Sequence, residues 1–178
     1  KKALKDFTTF AGKVPLPPRY AFGYWWSRYW SYSDDELRDL TAKFDAYDIP
    51  LDVLVIDMDW HYVNPGRGGW TGYTWNRSLF PNPAQFLQYL KGKKLQVTLN
   101  LHPAGGIEPY EERYKDMANW MGMDPSSKQR IDYCGSDKRF MSGWLNTILR
   151  PMEKEGVDFW WLDWQQDMFD RHIKTLNN

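Results

Sequence analysis

Short apolar runs and longer mixed stretches alternate along the chain. L-D-V-L-V-I-D at 51–57, L-Q-V-T-L-N-L at 95–101 and V-D-F-W-W-L at 157–162 are rich in aliphatic and aromatic residues and end in polar ones. Runs of this length and composition read as strands buried on both faces. Ahead of them, Arg19 to Trp30 (R-Y-A-F-G-Y-W-W-S-R-Y-W) is a strand-like aromatic run. The intervening stretches read as helices. Ser33 with Glu36 three residues on forms a capping box opening a helix of about residues 34–48, with Leu37, Leu40, Thr41 and Phe44 on its buried face. Ile49-Pro50 stops it. Further helices are expected at about Pro83–Gly92, 108–121 and Lys138–Glu155, the last ended by Gly156. Residues 64–83 and 123–136 read as loops, and residues 1–18, ending in P-L-P-P, as a linker leading into a single domain over 19–178.

This strand and helix alternation predicts a parallel sheet with right-handed crossovers. In such sheets ligands bind at the carboxyl ends of the strands, where loops vary while the sheet holds their roots. The four predicted strands deliver polar residues there: Ser27 and Arg28, then Asp57 and Asp59, then Asn100 and His102, then Asp163. Any one of these acids alone reads more readily as a helix cap or the partner of a neighbouring Arg. Agreement among four strands points to a site.

Composition narrows the ligand. Lys+Arg and Asp+Glu both number 23 in 178 residues, so net charge gives no case for nucleic acid or an acidic membrane. No apolar stretch reaches membrane-spanning length, K-K-A-L-K-D-F lacks the apolar core of a signal peptide, and a soluble chain is expected without assignment of a compartment. The single cysteine, Cys134, excludes an internal disulfide. Eleven Trp, eleven Tyr and nine Phe stand out in a chain of mean hydropathy -0.70. Aromatic rings in a polar chain suit a pocket that stacks flat amphipathic ligands such as sugars.

No H-E-x-x-H, paired C-x-x-C, phosphate loop or G-x-G-x-x-G occurs, and His61, His102 and His172 lack ligand spacing, so neither metal nor cofactor is called for. G-R-G-G-W at 66–70 reads as a mobile loop. A carboxylate such as Asp163, ending an aromatic strand, can attack an anomeric carbon or steady an oxocarbenium-like transition state. Either role needs a second acid, about 5 to 5.5 Å away in a retaining enzyme and farther in an inverting one. Asp57 and Asp59 lie on a strand that sequential order keeps apart from that of Asp163, so they read as ligands of sugar hydroxyls.

Three motifs resemble glycoside hydrolase family 31, the α-glucosidase and α-xylosidase family. G-V-D-F-W-W-L-D-W-Q-Q is similar to its nucleophile strand, commonly G-x-D-G-x-W-x-D-M-N-E; D-I-P-L-D-V-L-V-I-D-M-D-W-H is similar to D-I-P-x-D-x-x-x-x-D-I-D-Y-M; and P-P-R-Y-A-F-G-Y-W-W-S-R is similar to its first barrel strand. The likeness runs from about Pro17 to Asp167. It implies a (β/α)8 TIM-type barrel acting with retention on α-linked oligosaccharides or glycosides, with Asp163 as nucleophile and Asp57, beside Asp59, binding the sugar. Trp25, Trp26 and Arg28 would stand near the mouth, and His102, Trp60 and Trp161 complete the expected substrate contacts. The chain departs from the family pattern at His102-Pro103, where D-P is common, and at Trp164-Gln165-Gln166 in place of M-N-E. The sugar thus stays open among α-glucosyl, α-galactosyl, α-xylosyl and N-acetylated α-sugars.

Such a barrel needs eight strands and about 250 residues. Only the first four βα units are expected here, so the acid/base residue falls outside this chain and the remainder of the barrel is an expected partner. A four-stranded section exposes two strand edges and its apolar interior. Two other readings remain: a non-catalytic carbohydrate-binding relative of the same barrel, and an α/β domain whose acids only cap helices.

Overall fold

The structure, a computed structural model, describes residues 1–63 and 70–163. Strands β1 (Trp25–Trp26), β2 (Val53–Ile56), β3 (Gln96–Leu101) and β4 (Phe159–Leu162) form a parallel sheet in sequential order. Helices α2 (Asp34–Ala46), α3 (Pro83–Gly92) and α4 (Tyr114–Met121) connect them, together with a long helix in which α5 (Lys138–Gly143) passes through a π-helical stretch (Trp144–Leu149) into α6 (Arg150–Glu155). This is the first half of a βα barrel. No helix among the described residues is long and apolar enough to cross a membrane.

Local chemistry sets the helix starts. The Ser33 hydroxyl accepts from the Glu36 amide at 3.2 Å while Glu36 Oε2 accepts from the Ser33 amide at 2.8 Å. Such a cap stabilises a helix by about 1 kcal/mol. At α3 the Asn82 side chain accepts from the Gln85 amide, and Pro83 occupies the first turn, where its missing N–H is harmless.

The two faces of the sheet differ. Leu54, Ile56, Val97, Leu99 and Leu101 pack toward the helices in a core with Leu37, Phe86, Leu90, Ile148 and Leu149. Burying each such side chain contributes about 1.5 to 3 kcal/mol. The opposite face carries Trp25, Val55, Thr98, Phe159 and Trp161, which line an open hollow of about 420 Å³. Two acids fix the register at the amino ends of the strands. Asp52 Oδ2 accepts from the Tyr24 amide at 2.9 Å, and Asp158 Oδ2 accepts from the Val97 amide at 2.8 Å. Gly23 is required beside Asp52, because a Cβ there would fall 2.1 Å from Oδ2.

Four elements differ from the sequence expectation. Residues 2–11, expected only as linker, form helix α1 (Lys2–Ala11), which buries no residue; Leu4 and Phe7 one turn apart give it an apolar stripe. The aromatic run at 19–30 contains only a two-residue strand, because a 3-10 turn (Arg19–Phe22) and Gly23 precede it. The helix expected from 108 begins at Tyr114, since Pro109 and the turns that follow occupy the intervening residues. The last long helix holds its π-helical stretch in the middle.

Candidate active site

Asp57, His102 and Asp163 follow directly from β2, β3 and β4. Alternation along each strand puts them on the same face as Val55, Asn100 and Trp161. The Asp163 amide donates to the Leu101 carbonyl at 2.9 Å, so the ladder continues one residue past β4 and aims the carboxylate. Asp163 Oδ2 then lies 3.3 Å from His102 Nε2 and accepts from Asn100 Nδ2 at 3.4 Å. The His102 contact is close but lacks aligned hydrogen-bond geometry. Asp57 Oδ1 accepts from the Met58 amide at 2.7 Å. Asp57, Met58, His102 and Asp163 line a cleft of about 170 Å³ together with Tyr29 and Trp70.

Burial governs the charges. It raises the Asp57 carboxyl above its ordinary value, opposed by the Met58 amide and His102 and reinforced by Asp163 and Asp59. It lowers the His102 imidazole, opposed by the carboxylates of Asp163 and Asp57. His102 therefore leans toward the neutral form between two acids. Trp70 packs edge-on against its ring at 5.1 Å and 79°.

The other expected contacts lie elsewhere. Trp25 and Trp161 line the hollow deeper along the same face. Trp26, expected at the mouth, turns to the opposite face and meets Phe44 of α2 edge-on at 5.7 Å. Trp60 is a core residue at 1% exposure, not a mouth residue, and its indole N–H donates to the Asn100 carbonyl at 2.8 Å. The cause is Asp59, whose φ of 78° breaks the strand alternation just before it. Asp59 itself accepts from the Ser31 hydroxyl at 2.6 Å and does not line the cleft. Arg28 is exposed, with its guanidinium 4.8 Å from the ring centre of Trp30.

Tyr29, Met58 and Trp70 join the site without having been expected there. Trp70 ends the glycine-rich stretch read as a mobile loop, of which residues 66–69 lie outside the described residues, as do Trp164, Gln165, Gln166 and His172. Among the described residues no group of three or more His, Cys, Asp or Glu side chains is placed to hold a metal ion. The arrangement offers two carboxylates of unequal surroundings, a buried imidazole between them and aromatic walls. Such a cleft can bind a polyhydroxylated ring and stabilise positive charge developing on it.

Comparison with known proteins agrees with this architecture. The chain is 35% identical over 116 residues to an α-glucosidase 2 of Bacillus thermoamyloliquefaciens and 32% identical over 114 residues to an α-xylosidase of Saccharolobus solfataricus. These matches cover 65% and 64% of the chain but 14% and 15% of the relatives' lengths. Its fold is shared with an α-xylosidase of Xanthomonas citri at a TM-score of 0.71 and 21% identity, over 94% of this chain and 19% of that one. A dextranase of Flavobacterium johnsoniae, solved with glucose, gives 0.67 at 18% identity, over 90% and 20% of the two chains. Residues 14–177 match the description "Glycosyl hydrolases family 31 TIM-barrel domain", and the chain belongs to that family of glycoside hydrolases.

Proposed function

We propose that the chain forms the first half of the catalytic barrel of a retaining α-glycoside hydrolase, with Asp163 as nucleophile and Asp57 as a ligand of sugar hydroxyls. The observation that carries this reading is the convergence of Asp163, His102 and Asp57 on one cleft at the carboxyl ends of three consecutive strands. In the first step an Asp163 oxygen forms a bond to the anomeric carbon as the glycosidic C–O bond breaks. The departing oxygen takes its proton from an acid in the remainder of the barrel. That group, now a base, activates water to release the sugar and restore the carboxylate.

Asn100 and His102 support the nucleophile by holding one Asp163 oxygen. The substrate is an α-linked oligosaccharide or glycoside, and the names of the relatives favour α-glucosyl or α-xylosyl units. Without its proton donor this half alone should be slower by about 10² to 10⁴. A 2-fluoro α-glycoside with a good leaving group, given to the chain joined to a complete barrel, should leave a sugar covalently attached to Asp163. Peptide mapping that finds the label on another residue, or finds none, overturns the assignment. The non-catalytic sugar-binding alternative corresponds to the second of these outcomes.

A further inference from the structure

Glu111 is a buried acid, 5% exposed, that the proposed chemistry does not use. Its carboxylate faces donors. The Tyr73 amide donates to both oxygens, at 3.3 and 3.2 Å, and the Thr74 hydroxyl donates to Oε2. The Thr74 oxygen in turn accepts from the Glu112 amide at 2.9 Å. An ionised carboxylate accepts from both the Tyr73 amide and the Thr74 hydroxyl.

Thr74 and Tyr73 belong to the loop that begins at Trp70. The same loop is fitted closely on its other sides. The Thr71 hydroxyl donates to the His102 carbonyl and accepts from the Gly105 amide at 2.9 Å. The Thr74 carbonyl accepts from the Tyr62 amide at 2.7 Å. Gly72 lies against the buried His61 ring, where a Cβ would come within 2.2 Å of Nδ1. Trp70, at the head of the loop, lines the acidic cleft against His102.

We propose that Glu111 is a positioning residue: by holding the Tyr73 amide and the Thr74 hydroxyl it seats the loop whose Trp70 walls the cleft, and so sets sugar affinity without touching the reacting atoms. This rests on the reading of the cleft as a sugar site. The charged and titratable groups acting on Glu111 are Glu108 and Glu112 from its own segment and Tyr73 from the loop; Tyr110 also feels its charge, and Arg77 is held by Glu112 at 3.3 Å. Burial, reinforced by Glu108 and Glu112 and opposed by the two loop donors, raises the Glu111 carboxyl to about 7. The two loop donors favour the ionised form, and burial, the larger influence, favours the neutral one.

The test compares wild type with Glu111→Gln and Thr74→Val in the chain joined to a complete barrel, using an aryl α-glycoside. At about pH 8 both variants should raise KM by about tenfold and leave kcat within about twofold. An unchanged KM, or a loss confined to kcat, overturns the proposal. If wild type turns over no α-glycoside, the sugar-site reading fails, and amide exchange of residues 70–76 tests the clasp on its own. Faster exchange in Glu111→Gln than in wild type at about pH 8 supports it, and equal protection overturns it. Should Glu111→Gln not fold, the same two readouts on Thr74→Val decide.

Discussion

His102 Nε2 stands 3.3 Å from Asp163 Oδ2, and the imidazole that makes this contact is buried. A carboxylate at position 102 would set a like charge against Asp163. The imidazole instead offers a neutral ring that can donate. His102→Asp should therefore disfavour the ionised nucleophile and reduce kcat/KM by about 10²-fold or more. His102→Gln, which keeps a donor near the same place, should cost much less. Steady-state kinetics of the two variants on one α-glycoside provides the measurement, and equal losses would show that charge at this position is unimportant.

Asp57 supplies a pH dependence of its own. Burial, reinforced by Asp163 and Asp59, raises its carboxyl above the ordinary value of 3.8, while the Met58 amide and His102 restrain the rise. On the proposed reading the ionised form accepts from sugar hydroxyls, so affinity should fade as pH drops through that raised value. KM should climb on the acid side, and Asp57→Asn should raise it by about 10- to 100-fold at neutral pH while removing this part of the acid-side climb. A profile of KM against pH for both proteins checks the sign.

What could be read from the sequence follows the strands. Alternation along three apolar runs correctly brings Asp57, His102 and Asp163 to one end and one face. Reading fails at two tryptophans, one where the backbone leaves that alternation and one where the backbone keeps it. Asp59, at φ 78°, turns Trp60 into the core, and Trp26 faces the helices because its neighbour Trp25 faces the hollow. Glu111 could not be found this way, since nothing in I-E-P-Y-E-E-R marks which acid meets the Tyr73 amide 38 residues earlier in the chain. Asp52 and Asp158 belong to the motifs that carry the family likeness, yet they sit at the opposite ends of the strands from the site.

That placement separates stability from chemistry. Asp52→Ala and Asp158→Ala each remove an acceptor from a strand amide and should lower stability by about 1 to 3 kcal/mol. Neither residue lines the cleft, so KM of the folded protein should be unchanged. Denaturant titration paired with kinetics tests both halves, and a change in KM without loss of stability contradicts the assignment.

Trp60 and Trp161 should part in the same way. Trp60→Phe removes the indole donor to the Asn100 carbonyl and leaves a gap in the core, for an expected loss of about 1 to 3 kcal/mol with unchanged substrate preference. Trp161→Ala alters the wall of the hollow beneath the cleft and should act mainly on KM. Melting temperatures beside kinetic constants for the two variants measure the contrast.

Two buried groups give the folded state opposite responses to pH. Burial lowers His61 below its ordinary 6.5, so the unfolded chain binds that proton more readily and stability is lost as pH falls below about 6.5. Glu111 is raised from 4.5 to about 7, so here the folded state holds the proton more tightly and stability is lost as pH rises between those values. The Glu111 contribution is of the order of 3 kcal/mol across that interval, large against the total stability of an ordinary domain. Glu111→Gln should flatten the decline between about pH 5 and 7, and His61→Gln should flatten the acid side. Denaturation midpoints across this range measure both slopes, with Glu111 held by Tyr73 and Thr74 and His61 by the backbone of Tyr62 and Trp70.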